Sequence, residues 1–361
     1  MVARRGRVAY LKPQGLMDIE SKKAMSKDTL FWIASMTKPI TAVAVLMLME
    51  EGKLRLNDPV SRFIPELHGM KVAVMQDRPG APSPPAAVAE PLFYTVPSIR
   101  DFTIQDLLTH VSGLASGGPA STAAEAKIEW KPTSTLAEYM PLLGAEPLDF
   151  QPGSRWAYSG GAGFETLGRI VEVVSGQPYD QFLKQRIFDP LQMNDTSFQP
   201  TPQKLARVVT MYHRGANALT KVETPDWLKM PAYFSGSGGL MSDANDYLAF
   251  AQMLANGGQL NGVRLLSPKT VELMSSVFVP DTTPGRQKGR GFGLSVQVTS
   301  DAIAANTRIS NGSYGWEGAF GTHFWIDPKE KIVGLLLIQT DNPNAQLNND
   351  FENAVMQAIV E

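Results

Sequence analysis

The sequence predicts a mixed α/β (α+β) fold, in which one sheet domain uses both ends of the chain and a mainly helical domain interrupts it. Strand-like segments lie near both termini, whereas helical patterns occupy the stretch between them. A length of 361 residues fits two domains better than three. With 43% hydrophobic and 19% charged residues, the chain has an ordinary globular composition and can fill a sizeable core.

The first elements lead into a buried helix. Short strands are expected at residues 8–11 and 29–33, on either side of a polar, turn-rich stretch. Residues 41–51 are rich in Ala, Val, Leu and Met and apolar on nearly every face, which predicts a helix buried between layers. Because Pro39 is tolerated only in the first turn of a helix, this helix is expected to begin close to Ser35.

The rest of the chain alternates between loops and helices and ends with strands. Six prolines make residues 76–98 a loop or a loosely paired ribbon, either a surface connection or a flap over a pocket. We place the sheet domain at residues 1–34 and 236–361 and the mainly helical domain at residues 35–235. Helices are expected at 104–108, 162–175, 179–187 and 348–360, and strands at 291–298, 322–327 and 332–339.

Composition also excludes several classes of protein. The formal net charge of −2 supplies no positive field, so neither a nucleic acid nor an anionic membrane is an expected partner. The absence of Cys excludes a disulfide scaffold, a thiolate nucleophile and a Cys-ligated metal. The four His do not have the close spacing of a helical zinc motif, and we expect no metal and no organic cofactor. The longest apolar run is too short for a membrane span.

The segment Ser35-Met36-Thr37-Lys38 matches the pattern S-x-x-K at the expected start of the buried helix. Residues i and i+3 share a face of a helix, so the ammonium group would lie over the hydroxyl. A Lys desolvated there can accept or relay the Ser proton, and the unpaired N–H groups of the helix N-terminus favour an oxyanion. The alternative, a capping Ser with a surface Lys, fits poorly with the apolar residues 31–34 that precede the motif.

Two further segments carry complementary groups. Residues 152–160 (PGSRWAYSG) form a turn that can bring the Tyr158 hydroxyl to Ser35, where Lys38 would favour the phenolate and general-base catalysis. The alternative is that Tyr158 is a packed aromatic residue. Residues 315–321 (GWEGAFG) precede a strand, and their glycines would let backbone N–H groups approach a bound carbonyl, unless they form an ordinary turn.

In this order, the three segments resemble the motifs of the serine β-lactamase and DD-peptidase superfamily. They are most similar to class C β-lactamase-like esterases, the family VIII carboxylesterases. The likeness extends to residues 107–114 (LLTHVSGL), 187–193 (IFDPLQM) and 238–240 (GGL). It implies a β-lactamase/transpeptidase-like fold, with an antiparallel sheet flanked by helices, a mainly helical domain and an active site at their interface.

The resemblance also implies roles for individual residues. Ser35 would be the nucleophile, Lys38 its partner and Tyr158 the general base. The N–H groups of Ser35 and Ala319 would form the oxyanion hole. The residues that would bind substrate are Trp316, Glu317 and Gly318.

Two departures from the family motifs bear on specificity. β-Lactamases and peptidases carry Tyr-x-Asn and Lys-Thr-Gly, whereas this chain has Gly160 in place of the Asn and Trp316 in place of the Lys. That Asn contacts a substrate amide and that Lys attracts a substrate carboxylate, so their loss fits the esterase branch, which commonly has Trp-x-Gly.

The N-terminus departs from the family as well. The family usually has a helix before its first strand, and this helix is expected to be missing here. No signal peptide is evident in the sequence as given, which predicts a cytoplasmic protein. A truncated N-terminus would instead allow a periplasmic or secreted one.

These observations predict a carboxylesterase that hydrolyses short-to-medium neutral esters through a Ser acyl-enzyme, with weak β-lactam hydrolysis as a possible side activity. The alternative enzymes are a class C-like β-lactamase and a D-Ala-D-Ala carboxypeptidase. A non-catalytic binding protein on the same fold is the alternative from another class. A small-molecule ester is the expected partner, and the oligomeric state stays open. His110 is interpreted as a structural hydrogen-bonding residue.

Overall fold

The computed structural model describes residues 1–76, 92–131, 133–344 and 346–360. The strands in these ranges are β1 (Val2–Arg4), β2 (Arg7–Tyr10), β3 (Leu16–Asp18), β4 (Lys23–Ala24), β5 (Phe31–Trp32), β6 (Lys71–Met75), β7 (Phe93–Pro97), β8 (Tyr212–Arg214), β9 (Leu219–Lys221), β10 (Met241–Ser242), β11 (Gln259–Leu260), β12 (Val263–Arg264), β13 (Arg290–Phe292), β14 (Gln297–Thr299), β15 (Tyr314–Glu317), β16 (His323–Asp327) and β17 (Ile332–Leu336). The helices are α1 (Thr37–Glu50), α2 (Ile104–Leu108), α3 (Pro119–Glu125), α4 (Leu136–Gly144), α5 (Ala162–Ser175), α6 (Tyr179–Leu183), α7 (Asp189–Leu191), α8 (Ala244–Ala255), α9 (Pro268–Met274) and α10 (Gln346–Gln357).

One antiparallel sheet combines strands from the two ends of the chain. Its order is β13-β14-β15-β16-β17-β1-β2, and Val2 of β1 lies opposite Gly334 of β17. The side chains of β16 alternate between two covered faces: Phe324 belongs to the main core, and Trp325 packs beneath α10. Because both faces are covered, every residue of β16 is buried. The predicted mixed α/β fold with an antiparallel sheet is confirmed.

The helical part is organised around α1 and α5, which pack against each other. Every residue of α1 from Thr37 to Leu48 is buried, in agreement with a sequence that has no polar face. α5 is amphipathic and ends at Gly176, whose left-handed backbone (φ 70°) suits a residue without a Cβ. α2 and α5 have the bounds that the sequence predicts.

Two predicted strands differ from the structure. Residues 291–298 form a hairpin of β13 and β14 instead of one strand. The chain turns at Ser295, whose backbone is left-handed (φ 73°), and it passes so close to the Met274 carbonyl oxygen that a Cβ on Gly293 would lie 2.4 Å from it. Within residues 29–33, β5 pairs with β10 and does not join the main sheet. The domain boundaries at residues 34/35 and 235/236 stay predictions.

Two other segments are more irregular than predicted. α6 continues through a π-helical turn at Lys184–Phe188 into α7, so the predicted helix 179–187 is only partly α-helical. In the proline-rich region, β6 pairs with β7 as a ribbon, and residues 77–91, on which the predicted flap would fall, lie outside the described residues. Across the parts of the chain that the structure describes, no helix is both long and apolar enough to cross a membrane.

Candidate active site

Ser35 lies in a 3-10 turn, Ala34–Met36, that leads directly into α1. The preceding residue, Ala34, has a φ of 44°, in the left-handed region that residues with a Cβ adopt only at a steric cost. Gly238 packs closely against this turn, since a Cβ on it would lie 3.5 Å from the Ala34 carbonyl carbon. The strained turn leaves Ser35 half-buried at the edge of a cavity of about 1030 Å³.

Lys38 follows one turn later on α1 and has no exposed surface. Its Nζ donates hydrogen bonds to the carbonyl oxygens of Gly160 (2.6 Å) and Ser237 (2.9 Å) and to Ser35 Oγ (3.3 Å). These acceptors compensate for the hydration that the buried ammonium group has lost. The structure therefore brings Ser35 and Lys38 together, as their spacing on a helix implies.

Tyr158 lies in the irregular segment immediately before α5. Its hydroxyl donates a hydrogen bond to Ser35 Oγ over 2.7 Å, and the Lys38 ammonium lies 5.0 Å from the centre of its ring. A positive charge at this distance stabilises negative charge on the phenol oxygen. The serine hydroxyl is thus in contact with both an ammonium and a phenol, and a proton can pass between the two oxygens.

The structure also identifies contacts of Lys38 that sequence reasoning missed. The position that holds Asn in Tyr-x-Asn is occupied by Gly160, and its backbone carbonyl accepts the shortest of the Lys38 hydrogen bonds. A Cβ at Gly160 would meet nothing within 4 Å, so the site has room for a side chain that it does not use. The contact with Ser237 could not have been found from the motifs, because Ser237 accepts the Lys38 hydrogen bond through its backbone oxygen.

Glu165, on α5, is a second residue that the sequence analysis missed. Its carboxylate is buried and accepts hydrogen bonds from Ser235 Oγ (2.6 Å), Ser237 Oγ (2.7 Å) and the Gly236 N–H (2.9 Å). Burial raises the pKa of Glu165, while these hydrogen bonds and the charge of Lys38 oppose the rise. An acidic residue on the apolar face of α5 was the signal in the sequence. The hydrogen bonds to Glu165 fix the position of residues 235–237, and the Ser237 carbonyl oxygen in this segment accepts a hydrogen bond from Lys38.

The turn after β15 explains why residue 318 is a glycine. A Cβ on Gly318 would lie 2.4 Å from the Ile33 carbonyl oxygen and 2.2 Å from Thr322 Oγ1. Thr322 Oγ1 in turn donates to the Ile33 carbonyl (3.0 Å), which joins this turn to the one that carries Ser35. Ala319 follows and lines the same cavity as Ser35, so both residues predicted for the oxyanion hole border one cavity.

Trp316 and Glu317 have different surroundings from Ser35. They line a second cavity of about 710 Å³, on the side of β15 that faces α10. The Trp316 ring packs against Tyr158, with 5.5 Å between ring centres, and the Glu317 carboxylate accepts a hydrogen bond from Asn348 Nδ2 (2.9 Å). Trp316 therefore supports the Tyr158 ring, and direct contact of these two residues with substrate stays a prediction.

The Ser35 cavity has largely apolar walls beyond the hydroxyl groups. Its apolar and aromatic lining residues are Ile128, Trp130, Tyr139, Trp227, Met230, Pro231, Tyr233 and Phe320. Five charged residues also line it, namely Glu125, Lys131, Glu165, Asp226 and Lys229, but most of the wall area is apolar. Such a surface suits an uncharged hydrocarbon or aryl group. Among the residues that the structure describes, no group of three or more His, Asp or Glu side chains is arranged to hold a metal ion.

A serine hydroxyl in contact with a lysine and a tyrosine is an arrangement suited to a serine hydrolase, and the family and relatives of this protein place it in that class. The sequence model of the family described as Beta-lactamase matches residues 1–358, so the chain is a member of the β-lactamase family.

Three known proteins are similar over nearly the whole chain. Protein Rv1367c of Mycobacterium tuberculosis is 36% identical over 94% of this chain and 84% of its own length. Esterase EstB of Burkholderia gladioli is 32% identical over 94% of this chain and 85% of its own. The solved structure of EstCE1, described as a hydrolase with promiscuous acyltransferase activity, has a TM-score of 0.81 and 27% identity, covering 98% of this chain and 92% of that one.

Proposed function

We propose that the protein is a carboxylesterase that cleaves neutral carboxylic esters through an acyl-enzyme on Ser35. The observation that carries the proposal is the contact of Ser35 Oγ with both Tyr158 Oη (2.7 Å) and Lys38 Nζ (3.3 Å). Similarity to an esterase at 32% identity supports the same reaction class. The apolar walls of the Ser35 cavity favour an uncharged acyl group over a charged one.

In the proposed acylation, Tyr158 first releases its own proton to solvent and becomes a phenolate; Ser35 Oγ then attacks the ester carbonyl carbon while the Ser35 proton moves to the Tyr158 oxygen. The Lys38 ammonium stabilises the phenolate that receives this proton. The N–H groups of Ser35 and Ala319 stabilise the oxyanion of the tetrahedral intermediate. When the intermediate collapses, the bond to the alkoxy oxygen breaks and Tyr158 returns the proton to the departing alcohol.

Deacylation repeats these steps with water in place of Ser35. Tyr158 takes a proton from the water, whose oxygen attacks the acyl carbon, and Ser35 leaves with that proton. The carboxylic acid is released and the three side chains return to their starting protonation states. No other reactant is required.

The test combines labelling with mutation. A fluorophosphonate probe should modify Ser35, as determined by peptide mapping, and Ser35→Ala should abolish hydrolysis of p-nitrophenyl butyrate while leaving the melting temperature nearly unchanged. Ser154→Ala is the matched control, because Ser154 is exposed in the loop that precedes Tyr158. Hydrolysis that survives in Ser35→Ala at near wild-type rate would refute the proposal.

A further inference from the structure

His110 follows α2 and makes two hydrogen bonds to the segment that carries Tyr158. The Ala157 N–H donates to the His110 carbonyl oxygen (3.1 Å), and the Ser159 N–H donates to His110 Nδ1 (3.3 Å). Both backbone amides that flank Tyr158 are therefore held by one residue. The backbone of His110 is left-handed (φ 58°), a conformation uncommon for a residue with a Cβ.

The His110 ring also contacts the Tyr158 ring directly. The two ring centres are 4.8 Å apart, and Phe292 and Trp316 surround the imidazole at 5.3 Å and 6.4 Å. His110 has 1% of its surface exposed, so it cannot change rotamer without disturbing this cluster. The phenol of Tyr158 is thus fixed from its backbone and from the face of its ring.

The imidazole has to be neutral to hold this arrangement. Nδ1 accepts a hydrogen bond from the Ser159 N–H and therefore carries no proton. Burial, together with the positive charges of Lys38 and Arg286, lowers the pKa of His110 well below its usual value. Nε2 has no hydrogen-bond partner among the described residues. No hydrogen bond joins His110 to Ser35, so His110 does not belong to the proton-transfer groups.

We propose that His110 is the positioning residue that holds the Tyr158 hydroxyl at Ser35, through the two flanking amides and the ring contact. The inference rests on the proposed function, because His110 can act as a positioning residue only if Tyr158 is the general base. It predicts that damage at His110 reduces the rate of the chemical step and leaves substrate affinity nearly intact. A displacement of about 1 Å in a proton-transferring group can reduce a rate 100-fold.

The experiment is a double-mutant cycle between His110 and Tyr158. His110→Phe keeps an aromatic ring but removes the acceptor for the Ser159 N–H. In the wild-type background it should lower kcat for p-nitrophenyl butyrate about 10- to 100-fold with KM changed less than about threefold. In the Tyr158→Phe background the same substitution should change kcat less than about threefold, since the group that His110 positions is already gone.

A variant and a control make the outcome decisive. If His110→Phe does not fold, His110→Asn replaces it in the same cycle, because Asn tolerates a left-handed backbone. The same comparison of kcat in the two backgrounds then applies to His110→Asn. His213→Phe is the control for a His-to-Phe change, since His213 is exposed and bonded to Asp341. It should leave kcat unchanged.

Each result supports or overturns one of the two proposals. An equal loss of kcat in both backgrounds, or no loss in the wild-type background, would overturn the positioning role while leaving Ser35 as the nucleophile. Full activity of Ser35→Ala or of Tyr158→Phe would instead overturn the proposed function on which the role rests.

Discussion

The substitution Tyr158→Phe removes a single oxygen atom and should reduce the rate of catalysis far more than it reduces the stability of the fold. Among the described residues, the hydroxyl of Tyr158 makes one hydrogen bond, to Ser35 Oγ, whereas its ring packs against His110 and Trp316. The ring contacts stay in the variant, and loss of one neutral hydrogen bond costs about 0.5–1.5 kcal/mol of stability. A general base, by contrast, typically contributes about 10²- to 10⁴-fold in rate. We therefore expect a large loss of kcat with a melting temperature lowered by only a few degrees.

The assay is steady-state hydrolysis of p-nitrophenyl butyrate, with thermal unfolding measured on the same preparations. Tyr233→Phe is the matched control, because Tyr233 lines the same cavity and is buried. It should retain kcat within about threefold, since a cavity-wall hydroxyl supplies no general base. A Tyr158→Phe enzyme that keeps more than a tenth of the wild-type kcat would refute the assignment of Tyr158 as the base.

Three further predictions concern stability, specificity and the oxyanion turn. Burial and two neighbouring carboxylates raise the pKa of Glu146 from 4.5 to about 8, so its stabilising contribution is complete below pH 4.5 and is lost as the pH rises through 8. Glu146→Gln should therefore stabilise the fold by up to about 5 kcal/mol more at pH 9 than at pH 4.5, measured by urea unfolding, and equal effects at both pH values would contradict this. Gly160→Asn should fold normally, because a Cβ at this position meets no other atom within 4 Å. It should raise nitrocefin hydrolysis relative to ester hydrolysis by up to about tenfold, the effect of one added hydrogen bond to the substrate. An unchanged ratio of the two rates would contradict this role for position 160. Gly318→Ala should lower kcat at least about tenfold, because the new Cβ would overlap the Ile33 carbonyl oxygen and displace the turn that carries Ala319. Gly161→Ala is the control and should keep the wild-type kcat, because its Cβ would lie in open space. Equal kcat values for the two variants would contradict the proposed role of this turn in the oxyanion hole.

The sequence predicts well where local chemistry decides the structure. Ser35 and Lys38 share a helix face by spacing alone, and the structure brings them within 3.3 Å. The bounds of α5 follow from its apolar periodicity and from Gly176, which ends the helix. Family motifs pointed to Tyr158 as the third group, because no local pattern distinguishes a catalytic tyrosine from a packed one.

Tertiary contacts decide what the sequence could not predict. The hydrogen-bond partner of Lys38 at position 237 is a backbone oxygen, which leaves no trace in a motif. Ser295 adopts a left-handed conformation that interrupts an apparently continuous strand, because the hairpin must turn beside the Met274 carbonyl. The packing of the Trp316 ring against Tyr158 joins residues far apart in the chain and could not be predicted from the motif, whereas contact of Trp316 with substrate stays a prediction.

The pairing of β1 with β17 has a consequence for how this protein is made. Val2 cannot meet Gly334 until about 330 further residues have been synthesised, which takes a ribosome roughly 15–65 s. During that interval the nascent chain carries a strand edge with no neighbour, and unpaired edges promote association between chains. The helices around α1 can pack earlier, because they contact one another over shorter stretches of sequence. Closure of the sheet between β1 and β17 is thus a late step of assembly, and until then the edge of β1 that β17 will cover is open to other chains.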